Sequence, residues 1–258
     1  MRCAVAGHVE WTEFALVDRV PGPGEIAHAT EHWSGPAGGG AVVAAQLAKL
    51  AGGCDFFTAL GDDALGHASV TALEELGITL HAGWFGSTRR AITFVDDRGE
   101  RTITTIGPKL RPRNSLPNGY DAVFFVAGEP SVLRSARSAR FLAATPRELP
   151  TLVEAGVRLD LLVGSATDPG ERYEGGLDVG LVVRTEGALG GTAGGRRYAA
   201  ASPPGPIADT YGAGDSFAAA LCFALARGDT EQEALDLAAS AGAAVVTGKG
   251  PYTAQISP

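Results

Sequence analysis

Asp209-Thr210-Tyr211-Gly212-Ala213-Gly214-Asp215-Ser216-Phe217 is the stretch on which the interpretation of this chain turns. Two glycines flank an alanine, an aspartate follows at once, and an apolar pattern begins behind it. Phe217, Leu221 and Leu225 recur every fourth residue, the spacing of one helix face. A glycine-rich loop feeding a helix start offers backbone N–H groups without intrahelical partners, at the positive end of the helix dipole. Such a place attracts anions, phosphate above all. Asp215 stands at its mouth, where a bound phosphate would repel a carboxylate. One task suits a carboxylate there: taking the proton from a hydroxyl that attacks phosphorus. The same residues also suit a glycine-rich turn whose aspartate caps a helix.

Away from this loop, apolar runs of strand length alternate with helical patterns. Strands are expected at Cys3–Ala6, Asp55–Leu60, Ala122–Ala127, Leu159–Val163 and Val179–Arg184. Helices are expected at Gly40–Ala51, Leu65–Leu76, Ser131–Ala143, Pro146–Ala155, Asp215–Arg227 and Thr230–Thr247. Strands separated by helices imply crossover units and a doubly wound, mostly parallel α/β sheet flanked by helices. Ligands of such sheets bind beyond the carboxyl ends of the strands, where the 209–214 loop falls. Two segments break the alternation. Residues 9–33 carry Pro21-Gly22-Pro23-Gly24 in their middle. Residues 84–106 read as a hairpin, Ala91–Asp96 and Arg101–Ile106 around Asp97-Arg98-Gly99-Glu100.

Composition narrows the function classes. A formal charge of −8 opposes nucleic acid or an anionic membrane as partner, while leaving room for a local basic pocket. No apolar run reaches the length of a membrane span. Cys3, Cys54 and Cys222 lack metal-like spacing and read as reduced, packed thiols of a cytoplasmic protein. His8, His28, His32, His67 and His81 share no metal motif. A Gly-x-x-x-x-Gly-Lys-Ser/Thr loop is missing, and so is a dinucleotide fingerprint after the first strand.

The 209–215 stretch resembles the Asp-Thr-x-Gly-Ala-Gly-Asp signature of the ribokinase-like (phosphofructokinase B type) carbohydrate kinase family, and matches every fixed position. The resemblance implies that the N–H groups of Gly212, Ala213 and Gly214 form an anion hole and that Asp215 is the catalytic base. It implies ATP and Mg²⁺ as cofactors and a single kinase domain over residues 1–258. Insertions at about 9–33 and 84–106 would build a small β-sheet lid, through which a homodimer can form.

Other segments carry the resemblance through the chain. Pro36–Leu50 is similar to the family's N-terminal signature, in which Gly38 and Gly39 would let backbone approach the sugar. The family's following asparagine is missing; Val42 or Val43 takes its place. The same glycines also suit a helix packed closely on the sheet. Glu10, with His8 and Glu13 as alternatives, stands near the usual sugar-binding aspartate. Gly61-Asp62-Asp63-Ala64-Leu65-Gly66 matches a family turn and reads as a helix cap. Ser165-Ala166-Thr167-Asp168 keeps the spacing of Asn-x-x-Glu, so Asp168 would face a hydrated Mg²⁺ or simply cap the turn before Pro169. Thr185 and Gly187 resemble the nucleotide-phosphate turn, and Gly242 with Ala243 the adenine-packing site. Asp209 and Tyr211 lie where relatives hold a monovalent cation such as K⁺, though an ordered water fits the same residues.

Together these imply an ATP-dependent kinase phosphorylating a hydroxyl of a sugar or related small alcohol. Two alternatives stand beside it. A nucleoside kinase of the same family would stack its acceptor on Trp11, Phe14 and Trp33. A non-catalytic sensor would keep the fold and bind ligand or nucleotide without turnover.

Overall fold

The first strand, β1 (Cys3–Ala6), is buried on both faces. Cys3 and Val5 point into a core shared with three long helices, Ala4 and Ala6 into a second core on the opposite side. Such two-sided burial is what a continuous apolar run in a parallel sheet predicts. The computed structural model describes all residues 1–258. Strands β2 (Glu10–Leu16), β3 (Glu31–Ala37), β4 (Cys54–Leu60), β5 (Ile78–Trp84), β6 (Arg90–Val95) and β7 (Arg101–Ile106) follow. Then come β8 (Ala122–Phe125), β9 (Phe141–Ala144), β10 (Leu159–Ser165), β11 (Val179–Thr185), β12 (Gly191–Ala193) and β13 (Arg196–Tyr198). The helices are α1 (Gly39–Ala51), α2 (Ala64–Glu74), α3 (Pro130–Ala136), α4 (Leu149–Ala155), α5 (Ala213–Arg227) and α6 (Glu231–Val245).

Nine strands form the main sheet in the order β13-β12-β11-β10-β9-β8-β1-β4-β5, all parallel except the β11-β12-β13 edge. The order reverses at β1, which pairs β4 on one side and β8 on the other. That reversal opens a crevice beyond the strand ends. Helices α1, α5 and α6 cover one face; α3 and α4 cover the other. A second sheet of four strands runs β3-β2-β6-β7, with β2 and β6 parallel and both flanking pairs antiparallel.

The helix ends follow local chemistry. Asp63 caps α2 by accepting from the Gly66 N–H, and its other contacts, to the Thr88 N–H and hydroxyl, fasten the segment that leads into β6. Thr230 and Glu233 form a reciprocal capping box on α6. Helices α1 and α5 each stop at a left-handed glycine, Gly52 and Gly228.

Two expectations give way. The helical pattern at 131–143 breaks after Ala136, because Phe141–Ala144 pairs in parallel between β8 and β10. Strand β5 and the short edge strands were not read from the sequence. The second sheet draws on Glu10–Ala37 and Arg90–Ile106, and Trp84 belongs instead to β5 of the main sheet.

Candidate active site

Gly212 adopts φ +84, and α5 starts at the next residue. A Cβ on Gly212 would stand 3.0 Å from Pro251 Cβ and 3.1 Å from Val42 Cγ1, so the turn needs both glycine's φ and its missing side chain. The Ala213 N–H reaches the Thr210 carbonyl at 3.4 Å, while those of Gly212 and Gly214 find no backbone acceptor. Space beside Gly214 is open. The loop is thus a set of free donors at a helix start, the arrangement that binds anions. Its shape is held from below by Asp209, which accepts from the Tyr211 N–H at 2.8 Å and the Gly250 N–H at 3.1 Å. Both Asp209 oxygens are engaged by backbone, and burial raises its pKa.

Asp215 lies in the first turn of α5, half-buried. Its pKa is pushed up to about 6, chiefly by burial and then by Glu171 and Glu10, with Arg101 and Arg147 opposing. The N-terminal glycines come to meet it. A Cβ on Gly39 would lie 3.0 Å from Asp215 Oδ1. Gly38, at φ +91, donates its N–H to the Tyr211 hydroxyl at 3.1 Å and leaves only 3.2 Å between a Cβ and the His8 ring. The two glycine-rich segments, far apart in sequence, therefore face each other across Asp215. Of the two valines that could take the place of the family's asparagine, Val42 is fully buried and packs with Phe14, Ala37 and Tyr211, and Val43 lies in the main core.

Glu10 is buried and sits 3.2 Å from Arg89 Nε. Burial raises its pKa, with Arg89 and Lys109 pulling it back down. His8 is held neutral, its pKa lowered by burial and by Lys109, Arg89, Arg147 and Arg111. Lys109 and Arg111 both pair with buried Glu148. Arg147 pairs with Asp168 and Glu171. Three buried polar atoms in these segments have no hydrogen-bond partner, His8 Nδ1, Thr12 Oγ1 and Thr93 Oγ1, and Arg89 Nε has only its ion pair with Glu10. Buried polar groups are rarely left so.

Asp168 caps the 3₁₀ turn Pro169–Glu171 through the Gly170 N–H at 2.8 Å, besides its pairing with Arg147. Nowhere do three carboxylate, imidazole or thiolate side chains converge. Thr185 ends β11 opposite Ser165 of β10. Gly187, at φ +59, opens the exposed turn beyond it. Gly242 borders the first turn of α5, where a Cβ would lie 3.3 Å from the Ala213 carbonyl oxygen; Ala243 is half-buried beside it. Glu13 points to the opposite face of β2 from Glu10. Asp62 pairs with His67 at the surface and takes no part.

Sequence reasoning missed Arg89, Arg101, Lys109, Arg111, Arg147 and Glu171. Arg147 follows β9, a strand hidden in a helical pattern, so its position past a strand end was not visible. The others are single charges in loops or strands with no spacing to single them out.

The chain matches the family model of the pfkB family carbohydrate kinases over residues 2–123 and 182–257 and belongs to that family. A ribokinase from Arabidopsis thaliana, solved with ribose and ATP, superposes with a TM-score of 0.75 at 21% identity, covering 99% of this chain and 96% of that one. A ribokinase from Cryptococcus neoformans, solved with ADP, gives 0.74 at 24%, over 99% and 96%. The adenosine kinase of Sinorhizobium meliloti gives 0.76 at 19%, over 97% and 95%. No curated protein gives a significant match.

Proposed function

We propose that the chain is an ATP-dependent sugar kinase with Asp215 as its base. The observation that carries this is the half-buried Asp215 carboxylate, its pKa raised to about 6, at a helix start whose Gly212 and Gly214 N–H groups are free. The acceptor hydroxyl gives its proton to Asp215. Its oxygen bonds to the γ-phosphorus, the bond to the β–γ bridging oxygen breaks, and ADP leaves. The loop donors stabilise charge on the equatorial oxygens. Mg²⁺, when bound with the nucleotide, would neutralise phosphate charge beside Asp168 and Glu171. Thr185, Gly187, Gly242 and Ala243 form the nucleotide side; Glu10, Gly38 and Gly39 form the acceptor side. The second sheet acts as a lid that excludes water.

The acceptor side favours a sugar over a nucleoside. Phe14 and Trp33 stack on each other at 5.1 Å, and Phe14 packs edge-on against Tyr211 at 5.2 Å. These rings are spent inside the protein, and Trp11 is on the opposite face of β2. What remains beside Asp215 is hydroxyl, imidazole, guanidinium and carboxylate, which suit a polyhydroxylated molecule. The test is turnover over a panel of sugars, polyols and nucleosides with Asp215→Asn beside the wild type. Transfer to a sugar should fall by at least about 10³-fold in the variant, the scale of losing both base and charge match, while ATP binding survives. Activity within a few-fold of wild type removes Asp215 from the chemistry. ATP binding without turnover on any acceptor would favour the sensor.

A further inference from the structure

We propose that the acceptor is acidic: a sugar or polyol carrying a carboxylate or phosphate group, which Lys109 and Arg111 bind at the end of the site away from Asp215. The proposal rests on the reading of Glu10, Gly38 and Gly39 as the acceptor side. Lys109 and Arg111 lie on the segment that leaves β7 at Gly107, φ +89. Farther on, that segment is fastened by the Glu129 N–H, which donates to the Pro112 carbonyl at 3.2 Å. It therefore crosses the carboxyl ends of three adjacent strands: Glu148 follows β9, Glu129 follows β8 and His8 follows β1. Ligands of a parallel sheet collect there.

The chain as a whole carries a formal charge of −8, yet its charges are unevenly matched here. On the nucleotide side Arg147 faces two carboxylates, Asp168 and Glu171. Arg89 faces one, Glu10. Lys109 and Arg111 share one: Lys109 Nζ lies 2.9 Å from Glu148 Oε1, and Arg111 Nη2 lies 3.0 Å from Oε2. One positive charge is therefore left over, and it falls at the acceptor end. Glu148 is buried, while the Lys109 and Arg111 side chains are 20% and 41% exposed, so a further anion can reach them. Two of the three Lys109 N–H donors and the Arg111 Nε have no partner. An ammonium and a guanidinium held on one carboxylate, with donors to spare, match the oxygens of a second carboxylate or a phosphate.

The surplus is felt inside the site. After burial, the groups that hold the His8 ring neutral are all cations, Lys109 foremost, then Arg89, Arg147 and Arg111. His8 and Glu10 both border Gly38, where a Cβ would lie 3.2 Å from the ring and 3.3 Å from Glu10 Cγ. The next residue, Gly39, meets Asp215. Lys109 acts on Glu10, and Glu10 acts in turn on Asp215. The order across the site thus runs from Lys109 and Arg111, past His8 and Glu10, to Gly39 and Asp215. An acceptor that places one hydroxyl on Asp215 presents its other end to the surplus cation. A neutral sugar leaves that charge unmatched; an acid group complements it.

Calorimetry compares D-glucose with D-gluconate and D-glucose 6-phosphate, and D-ribose with D-ribonate and D-ribose 5-phosphate, on the wild-type protein. The expected result is an acid that binds about tenfold or more tightly than its neutral parent, the scale of one charge-assisted hydrogen bond. The carboxylate and phosphate arms show which acid group is read. Lys109→Gln and Arg111→Gln should each cut the acid-over-neutral ratio by about tenfold. Glu148→Gln, which removes the competing carboxylate, should raise it. Melting curves check that the variants fold; Arg111→Gln leaves Glu148 paired with Lys109 and decides the matter alone if the others unfold. No acid preferred over its parent overturns the proposal. A ratio lowered alike by Lys109→Gln and Glu148→Gln overturns it too, since the ion pairs would then only hold the fold. Turnover with ATP and Mg²⁺ separates this inference from the kinase reading. Phosphate transfer to neutral sugars alone overturns the inference and leaves the kinase standing. An acid that binds through Lys109 and Arg111 but is never phosphorylated upholds the acid subsite and overturns the kinase reading.

Discussion

Asp215 bears a conflict that can be read in two measurements. Its carboxyl must be ionised to accept a proton, yet burial pushes its pKa up to about 6. As a base it works only above that value, so kcat/KM should rise about tenfold per pH unit below pH 6 and level off above it. A profile flat down to pH 5 would contradict the assignment. Stability runs the other way. Between the ordinary value of 3.8 and about 6 the folded carboxyl keeps a proton that the unfolded chain has released. Stability therefore falls as pH rises through that window, by at most about 3 kcal/mol. Asp215→Asn should abolish this fall and melt a few degrees higher at pH 7 while transferring no phosphate. Melting at or below the wild-type temperature would show that the carboxylate is not strained. Gly39 is the other residue that sets this centre. A Cβ would press on Asp215 Oδ1 at 3.0 Å and on Val126 Cγ1 at 3.3 Å. Gly39→Ala should lower kcat by about 10²-fold, the cost of displacing a reacting group by about 1 Å, with ADP affinity unchanged. Weakened ADP binding instead would place Gly39 on the nucleotide side.

At the level of elements, the anion loop is held by a wedge of aromatic rings. Phe14 of β2 is buried between Trp33 of β3 and Tyr211 of the loop. The Tyr211 hydroxyl in turn takes the Gly38 N–H. Phe14→Ala should cost about 3–5 kcal/mol, the range for a buried phenyl ring; Phe14→Leu should recover most of that. A loss below about 1 kcal/mol would mean that the second sheet is not anchored there. This wedge also shows where sequence reasoning stops. The 209–215 loop was legible because its glycines and aspartate are local: turn, helix start and charge lie within seven residues. Strands such as β1 and β11 were legible because they are short apolar runs buried on a parallel sheet. Strand β9 was not, since Phe141–Ala144 differs from helix only by its pairing with β8 and β10. Phe14 and Trp33 suited a stacking surface for a base, and what the sequence could not show is that the two rings stack on each other with Phe14 edge-on to Tyr211. Gly38 and Gly39 were placed near substrate from the family resemblance and from their conformational freedom; that Gly39 faces Asp215 follows from the tertiary packing of α1 on α5, which no local pattern contains.

For the whole molecule, the decisive relation is between the two sheets. The site takes His8 and Glu10 from the end of β1 and the start of β2, and Arg89 and Arg101 from the 84–106 segment. Arg147 and Asp168 come from beyond β9 and β10, and Asp215 from α5. No single element holds the proposed chemistry, so on that reading the arrangement is complete only when the small sheet rests on the main one. Three ties hold it there at the site rim: the aromatic wedge, the Gly38–Tyr211 hydrogen bond, and the Thr210–Gly99 hydrogen bonds. If the second sheet is the proposed lid, these ties would yield and re-form in each turnover. If they also exclude water, loosening one should let water compete with the acceptor for the phosphoryl group. Thr210→Val is the sharpest such change. It keeps the shape and the backbone bond to Gly99 but deletes the hydroxyl that bonds both the Gly99 carbonyl and Arg101. A lost hydrogen bond of about 1 kcal/mol should admit water about fivefold more often. Phosphate release without acceptor, divided by transfer with acceptor, should therefore rise by about fivefold. The melting temperature should change little, because the tie is at an exposed rim. An unchanged ratio with slower transfer would show that the hydroxyl only aims Arg101. Unchanged rates on both counts would show that the second sheet does not guard the phosphoryl group through this contact.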